Sequence, residues 1–80
     1  MPRPSPHAND KTLKAFGKAV RVTRKDQGYS QEDFARKCEI DRAYMGAIER
    51  GQANIGLLHL VKIAKALKVK VADIMTAARL

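Results

Sequence analysis

The sequence predicts an all-α domain built from five short helices. Two observations carry that expectation: apolar residues recur every three or four positions in five separate segments, and most of these segments open or close on a residue suited to a helix end. A third observation is negative, since no stretch alternates apolar and polar residues as a half-buried strand would. With 80 residues the chain has material for one small core. A chain of this size buries only about 60% of its unfolded surface or a little more, so a deep enzymatic cleft is not expected.

Residues 1–9 hold three prolines in the first six positions and no apolar run, which predicts a disordered arm ahead of a folded domain over 10–80. Within the arm, Arg3 is the side chain able to reach a polyanion, and His7 is expected to be inert. The first helix is predicted from Asn9 or Asp10, either of which can cap, to about Gln27. Its buried stripe is Leu13, Phe16, Val20 and Thr23 with Ala19 beside it, and Gly28 stops it. Lys11, Lys14, Lys18, Arg21 and Lys25 make up its outer, solvated face. Ser30 opens the second helix, where "SQED" has the capping-box form with Asp33 in place of the commoner Glu, and Phe34, Ala35 and Cys38 face inward. The pattern breaks at Glu39 and Ile40. Asp41 is a good cap for a third helix reaching Arg50 and closed by Gly51. After the loop "GQAN", Leu57, Leu60, Val61, Ala64 and Leu67 mark a fourth helix from about Gly56, its lysines lying toward the end where they complement the helix dipole. A last helix from Val71 to about Ala78 carries Val71, Ile74, Met75 and Ala78, with Asp73 in its first turn.

Sixteen Lys and Arg against eight Asp and Glu give a formal net charge of +8, a field that recruits polyanions. Nucleic acid leads the candidate partners, ahead of an acidic membrane surface or an acidic protein. The single Cys38 allows no internal disulfide and no cysteine metal pair, which suits a reducing compartment, and it is expected to be a small core residue. No apolar run approaches the ~18 residues of a spanning helix, and the proline-rich start has neither signal-peptide nor anchor character. No Ser/His/Asp, Cys/His or metal-ligand cluster is present, and His59 lies where packing is the simpler role. The expectation is a non-enzymatic protein without cofactor or metal, acting in the cytoplasm in association with the nucleoid.

The third helix is unusual in composition. At 100° per residue Tyr44, Met45 and Ile48 fall within a sector about 100° wide, while Arg42, Ala43, Gly46, Ala47 and Arg50 fall opposite. Glycine inside a helix costs about 1 kcal/mol against alanine, so a face this bare suggests that something approaches it closely. A DNA major groove, about 12 Å wide, has that requirement, and Arg42 is placed to donate two hydrogen bonds to guanine. Close helix–helix packing has the same requirement, and this face alone leaves both readings open.

The surrounding stretch "SQEDFARKCEIDRAYMGAIERG", with the preceding "FGKAVRVTRKDQGY" and the following "ANIGLLHLVKIAKALKVKVADIM", resembles the helix-turn-helix domain of the Cro and lambda-repressor-like, or Xre-type, transcription regulators. The likeness covers about residues 12–77 and rests on Gln31 after the cap, Ala35 where the two helices touch, Ile48-Glu49 with Gly51 closing the third helix, and "KIAKAL" in the fourth. "DRAYMGAIERG" is similar to the corresponding run of restriction–modification controller proteins. The resemblance implies a helix-turn-helix at about 30–51 that binds double-stranded DNA. It implies Arg42, Ala43, Gly46 and Ala47 at the bases, and Gln31, Tyr44, Arg50 and Asn54 at the DNA backbone. It also implies an ion pair between Arg24 and Glu49, and a homodimer on a palindromic operator, for which Val71, Ile74 and Met75 are the expected contact. Many relatives have glycine at the turn where this chain has Glu39, and polar side chains where it has Ala43 and Ala47, so direct readout is expected to fall mainly on Arg42. Two alternatives accompany this reading. One is an antitoxin that sequesters a partner protein through the apolar C-terminal region, and the other is RNA binding, which the scarcity of aromatics disfavours.

Overall fold

The computed structural model describes residues 9–80. They form α1 (Lys11–Asp26), α2 (Gln31–Cys38), α3 (Arg42–Glu49), α4 (Leu57–Leu67) and α5 (Val71–Ala77), with no strand among the described residues. The arm expected over residues 1–9 lies outside the described residues except for Asn9, and so do Arg3 and His7. Asn9 itself is tied down, its N–H donating to the carbonyl of Gly51 at 2.9 Å. The cap of α1 is Asp10, whose Oδ1 accepts from the Thr12 N–H at 2.8 Å.

α1 runs along the domain and packs against α3, α4 and α5, while α2 packs against α3 and α4. The side chains withdrawn completely from water come from four different helices: Val20, Phe34, Met45, Ile48, Ile63 and Leu67. Each such burial stabilises by about 1.5–3 kcal/mol, which makes this cluster the main source of stability in so short a chain.

All five helices end in the same way. A residue just past the helix takes a left-handed conformation, and the next N–H reaches back five residues: Tyr29 to Arg24, Ile40 to Ala35, Gln52 to Ala47, Val69 to Ala64 and Leu80 to Met75. Glycine fills the left-handed position after α1 and α3, but Glu39, Lys68 and Arg79 fill it elsewhere, with φ of 57°, 59° and 60°. The turn between α2 and α3 is therefore made in the usual geometry without the usual residue. Ile40, next in line, turns inward and joins the core.

Two glycines bring α1 against α3. A Cβ on Gly17 would lie 2.3 Å from the Ile48 carbonyl oxygen, and one on Gly51 would lie 2.7 Å from the Lys14 Cα. At both positions the backbones approach too closely for any side chain.

Three sequence expectations are corrected by the packing. In α4 the buried residues are Ile63, Ala64, Ala66 and Leu67, and Leu57 is 72% exposed, because the first turn of that helix projects beyond the core. Leu60 and Val61 are half-buried. In α5, Ile74 is 4% exposed and belongs to the monomer core, so it is not free to contact a second copy; its helix lies on α1 and α4 with that residue underneath. Asp33 does not complete a capping box: Ser30 Oγ accepts from the Asp33 N–H at 3.0 Å, but the Asp33 carboxylate accepts from Arg36 instead.

Candidate nucleic-acid interface

α2 and α3 are joined by the three residues 39–41, and α3 begins at Asp41, whose Oδ2 accepts from the Tyr44 N–H at 3.2 Å. The cap satisfies one of the orphan donors at the helix start and leaves Arg42, the first helical residue, exposed. Along α3, Arg42 and Arg50 are exposed, Ala43 and Tyr44 are half-buried, and everything from Met45 to Glu49 is buried.

This is a narrower open face than one apolar stripe predicts. Ala47, 4% exposed, is a core residue and does not face outward as a base contact, because α3 is held by α1 and α2 together and buries two flanks of itself. Gly46 remains on the outer side but is roofed: a Cβ built there would lie 3.0 Å from Arg50 Nη1 and 3.4 Å from Gln31 Oε1. Arg42, Gly46 and Arg50, four residues apart, lie within about 80° of one another around the helix. The open stripe is thus Arg42, Ala43 and the floor at Gly46, bordered by Arg50 and Gln31. Tyr44 leans the other way, its ring centroid 5.2 Å from that of His59 in α4, which gives His59 its packing role.

Behind this stripe the structure brings Arg24 and Glu49 together, both buried. Arg24 Nε donates to Glu49 Oε2 at 2.8 Å and Nη2 to Oε1 at 3.0 Å, a two-pronged pair in the geometry a guanidinium favours. Arg24 Nη1 donates to the Tyr29 carbonyl at 2.8 Å, and Gln31 Nε2 donates to Glu49 Oε1 at 3.1 Å. Among the described residues no buried side-chain polar atom lacks a partner. One carboxylate at the end of α3 therefore ties together α1, the α1–α2 turn and the start of α2. Gln31 is occupied by this network through its amide nitrogen while its oxygen lies over Gly46.

Asn54 is exposed in the loop between α3 and α4, and that loop leads into the two most exposed leucines, Leu57 at 72% and Leu58 at 78%. Residue periodicity missed Gly17, whose signal is only its place inside a helical stripe. It also missed Arg21 and Lys25. They line a concavity of about 600 Å³ with Arg24, Gln31, Glu49 and Arg50, although they read as part of a solvated face. Among the described residues no cluster of three His, Cys, Asp or Glu side chains has the arrangement of a metal site, and no helix is long and apolar enough to cross a membrane.

The fold, with a short, capped α3 that leaves Arg42 exposed at its start, is that of a helix-turn-helix domain. The chain belongs to the helix-turn-helix family, which it matches over residues 20–74, a family of DNA-binding transcription regulators. Control protein C.BamHI of Bacillus amyloliquefaciens is 41% identical over 61 residues, which make up 75% of this chain and 75% of that protein. A Neisseria hypothetical transcription factor from Neisseria meningitidis serogroup B is 46% identical over 50 residues, 62% of this chain, and the match spans 47% of that relative's length. Among solved structures, the restriction-modification controller protein C.AhdI from Aeromonas hydrophila is similar with a TM-score of 0.76 and 39% identity, over 78% of this chain and 94% of that one.

Proposed function

We propose that the protein is a sequence-specific transcription regulator that binds double-stranded DNA as a homodimer, with α3 in the major groove of each half of a palindromic operator and no catalytic activity of its own. The observation that carries this reading is the stripe on α3: a free guanidinium at Arg42, a half-buried methyl at Ala43 and a glycine floor, fixed to the domain by the buried Arg24–Glu49 pair. In this reading Arg42 reads a base edge and Ala43 touches a base methyl. Arg50, Asn54, Tyr44 and Gln31 hold the DNA backbone. Backbone contacts position the domain and base contacts specify the sequence. The kinship with controller proteins supports a regulator. The contact between copies is drawn from Leu57 and Leu58, which are free, together with the exposed edges of Val71 and Met75.

Selected-site enrichment with the purified protein tests this directly. It is expected to return a palindrome whose half-site centres lie about 10–11 base pairs apart. On that duplex Arg42→Ala should cost roughly 1–3 kcal/mol and relax preference at one position, while binding to scrambled DNA changes little. Equal losses on both duplexes would remove Arg42 from the bases, and no enrichment at all would remove the specific-regulator reading.

A further inference from the structure

We infer that Arg21 and Lys25 of α1, with Arg50 at the C-terminal cap of α3, form a seat for one DNA phosphodiester, a backbone anchor beyond the helix-turn-helix itself. The inference rests on the DNA-binding reading above and extends it to a helix that does not enter the groove. The concavity of about 600 Å³ at the junction of α1, α2 and α3 is lined by Arg21, Arg24, Lys25, Gln31, Glu49 and Arg50, four cationic groups against one carboxylate. That carboxylate is already engaged. Both its oxygens accept from Arg24, and one also accepts from Gln31. Among the described residues the ion pairs are Arg24–Glu49 and those of Arg36 with Glu32 and Asp33, so Arg21, Lys25 and Arg50 have no acidic partner.

Arg21 and Lys25 are four residues apart on α1, a spacing at which like charges face each other and destabilise the helix. Among the described residues no ion-pair partner offsets this repulsion in the free protein. A bound anion relieves it, and the ligand the seat fits is singly charged, exposed and able to take several N–H donors at once, which describes a backbone phosphate. The position agrees. From Arg42 to Arg50 the helix rises about 12 Å, which is about the width of the major groove. A helix whose first residue meets base edges therefore carries its C-terminal cap residue, and the seat beside it, to the phosphate wall bordering the groove.

The test is the salt dependence of duplex binding by the whole chain. Wild type, Arg21→Gln, Lys25→Gln, the double variant, and Lys65→Gln as a charge-matched control on α4, are titrated on the enriched duplex and on a scrambled one. Thermal unfolding confirms that each is folded. Removing one phosphate contact should make the slope of log affinity against log salt shallower by about 0.9, equally on both duplexes. Lys65→Gln should leave the slope unchanged. A duplex with one neutral methylphosphonate bordering the site should weaken wild type at one position and weaken the double variant no further there. Unchanged slopes for all the Arg21 and Lys25 variants, or an equal change in Lys65→Gln, overturns the seat while leaving the regulator reading intact. A wild type that binds neither duplex overturns both.

Discussion

Glu39 holds the left-handed position between α2 and α3 with φ 57° and ψ 41°. A side chain bearing a Cβ costs roughly 1–2 kcal/mol there, and glycine carries no such clash. Glu39→Gly is therefore expected to raise stability by about 1 kcal/mol, read as a shift in the urea midpoint with an unchanged slope. A loss of stability would mean that the Glu39 side chain contributes something that its exposure does not suggest. Cys38, one residue earlier, is buried, and burial pushes its thiol up to about 11 against the smaller opposing pull of Lys37 and Lys62. The thiolate is the reactive form, so alkylation at neutral pH should be slow in the folded protein and fast in urea. The folded state binds the Cys38 proton more tightly than the unfolded one, so this contribution to stability is complete below the unfolded value near 9 and falls away as pH rises toward 11.

At the scale of the helix, periodicity located the elements well. The structure begins and ends each of them within about a residue or two of the expected bounds, because caps such as Asp10, Ser30 and Asp41 are local chemistry written at single positions. Burial was less legible. A stripe assumes one buried face, which holds for α2. It fails for α3, clamped by α1 and α2, where Ala47 goes inside, and for α4, whose first turn stands clear of the core with Leu57 exposed. The exposure of the candidate contact residues was legible to the same degree. Arg42, Arg50 and Asn54 are exposed, whereas the concavity lined by Arg21 and Lys25 depends on where α1 crosses α3, which no spacing within α1 reveals. That crossing is held by Gly17 and by the Arg24–Glu49 pair. Glu49→Ala leaves the Arg24 guanidinium buried without its carboxylate and should cost about 3–5 kcal/mol. In an Arg24→Ala background the same substitution should cost far less, the difference being the coupling energy of the pair. Additive losses in that double-mutant cycle, followed by denaturant unfolding, would reduce Glu49 to a cap for Gln31.

On the scale of the whole molecule, the described domain measures 30 × 27 × 20 Å. Half-sites one DNA turn apart are separated by about 34 Å, so two such domains on one face of a duplex meet only at their edges. In the proposed dimer the contact between them would be small and made by side chains that project. Leu57 and Leu58 are the large apolar residues on the edge that follows the Asn54 loop. Withdrawing a leucine completely from water is worth roughly 1.5–3 kcal/mol, while association costs about 4–15 kcal/mol in lost translation and rotation. On the proposed dimeric reading, a pair of leucines from each copy would therefore give only a weak dimer in free solution. DNA that carries two half-sites raises the effective concentration of one copy at the other, so on the proposed reading pairing is expected to be completed on the operator. Sedimentation equilibrium should accordingly show a concentration-dependent monomer–dimer mixture without DNA and two copies on a palindrome. Leu57→Glu combined with Leu58→Glu should leave the free protein monomeric and abolish cooperative filling of the two half-sites. Binding to an isolated half-site should persist, since neither residue is among those assigned to the DNA. An unchanged mass distribution in that variant would move the interface elsewhere, and the exposed edges of Val71 and Met75 would be the next place to substitute.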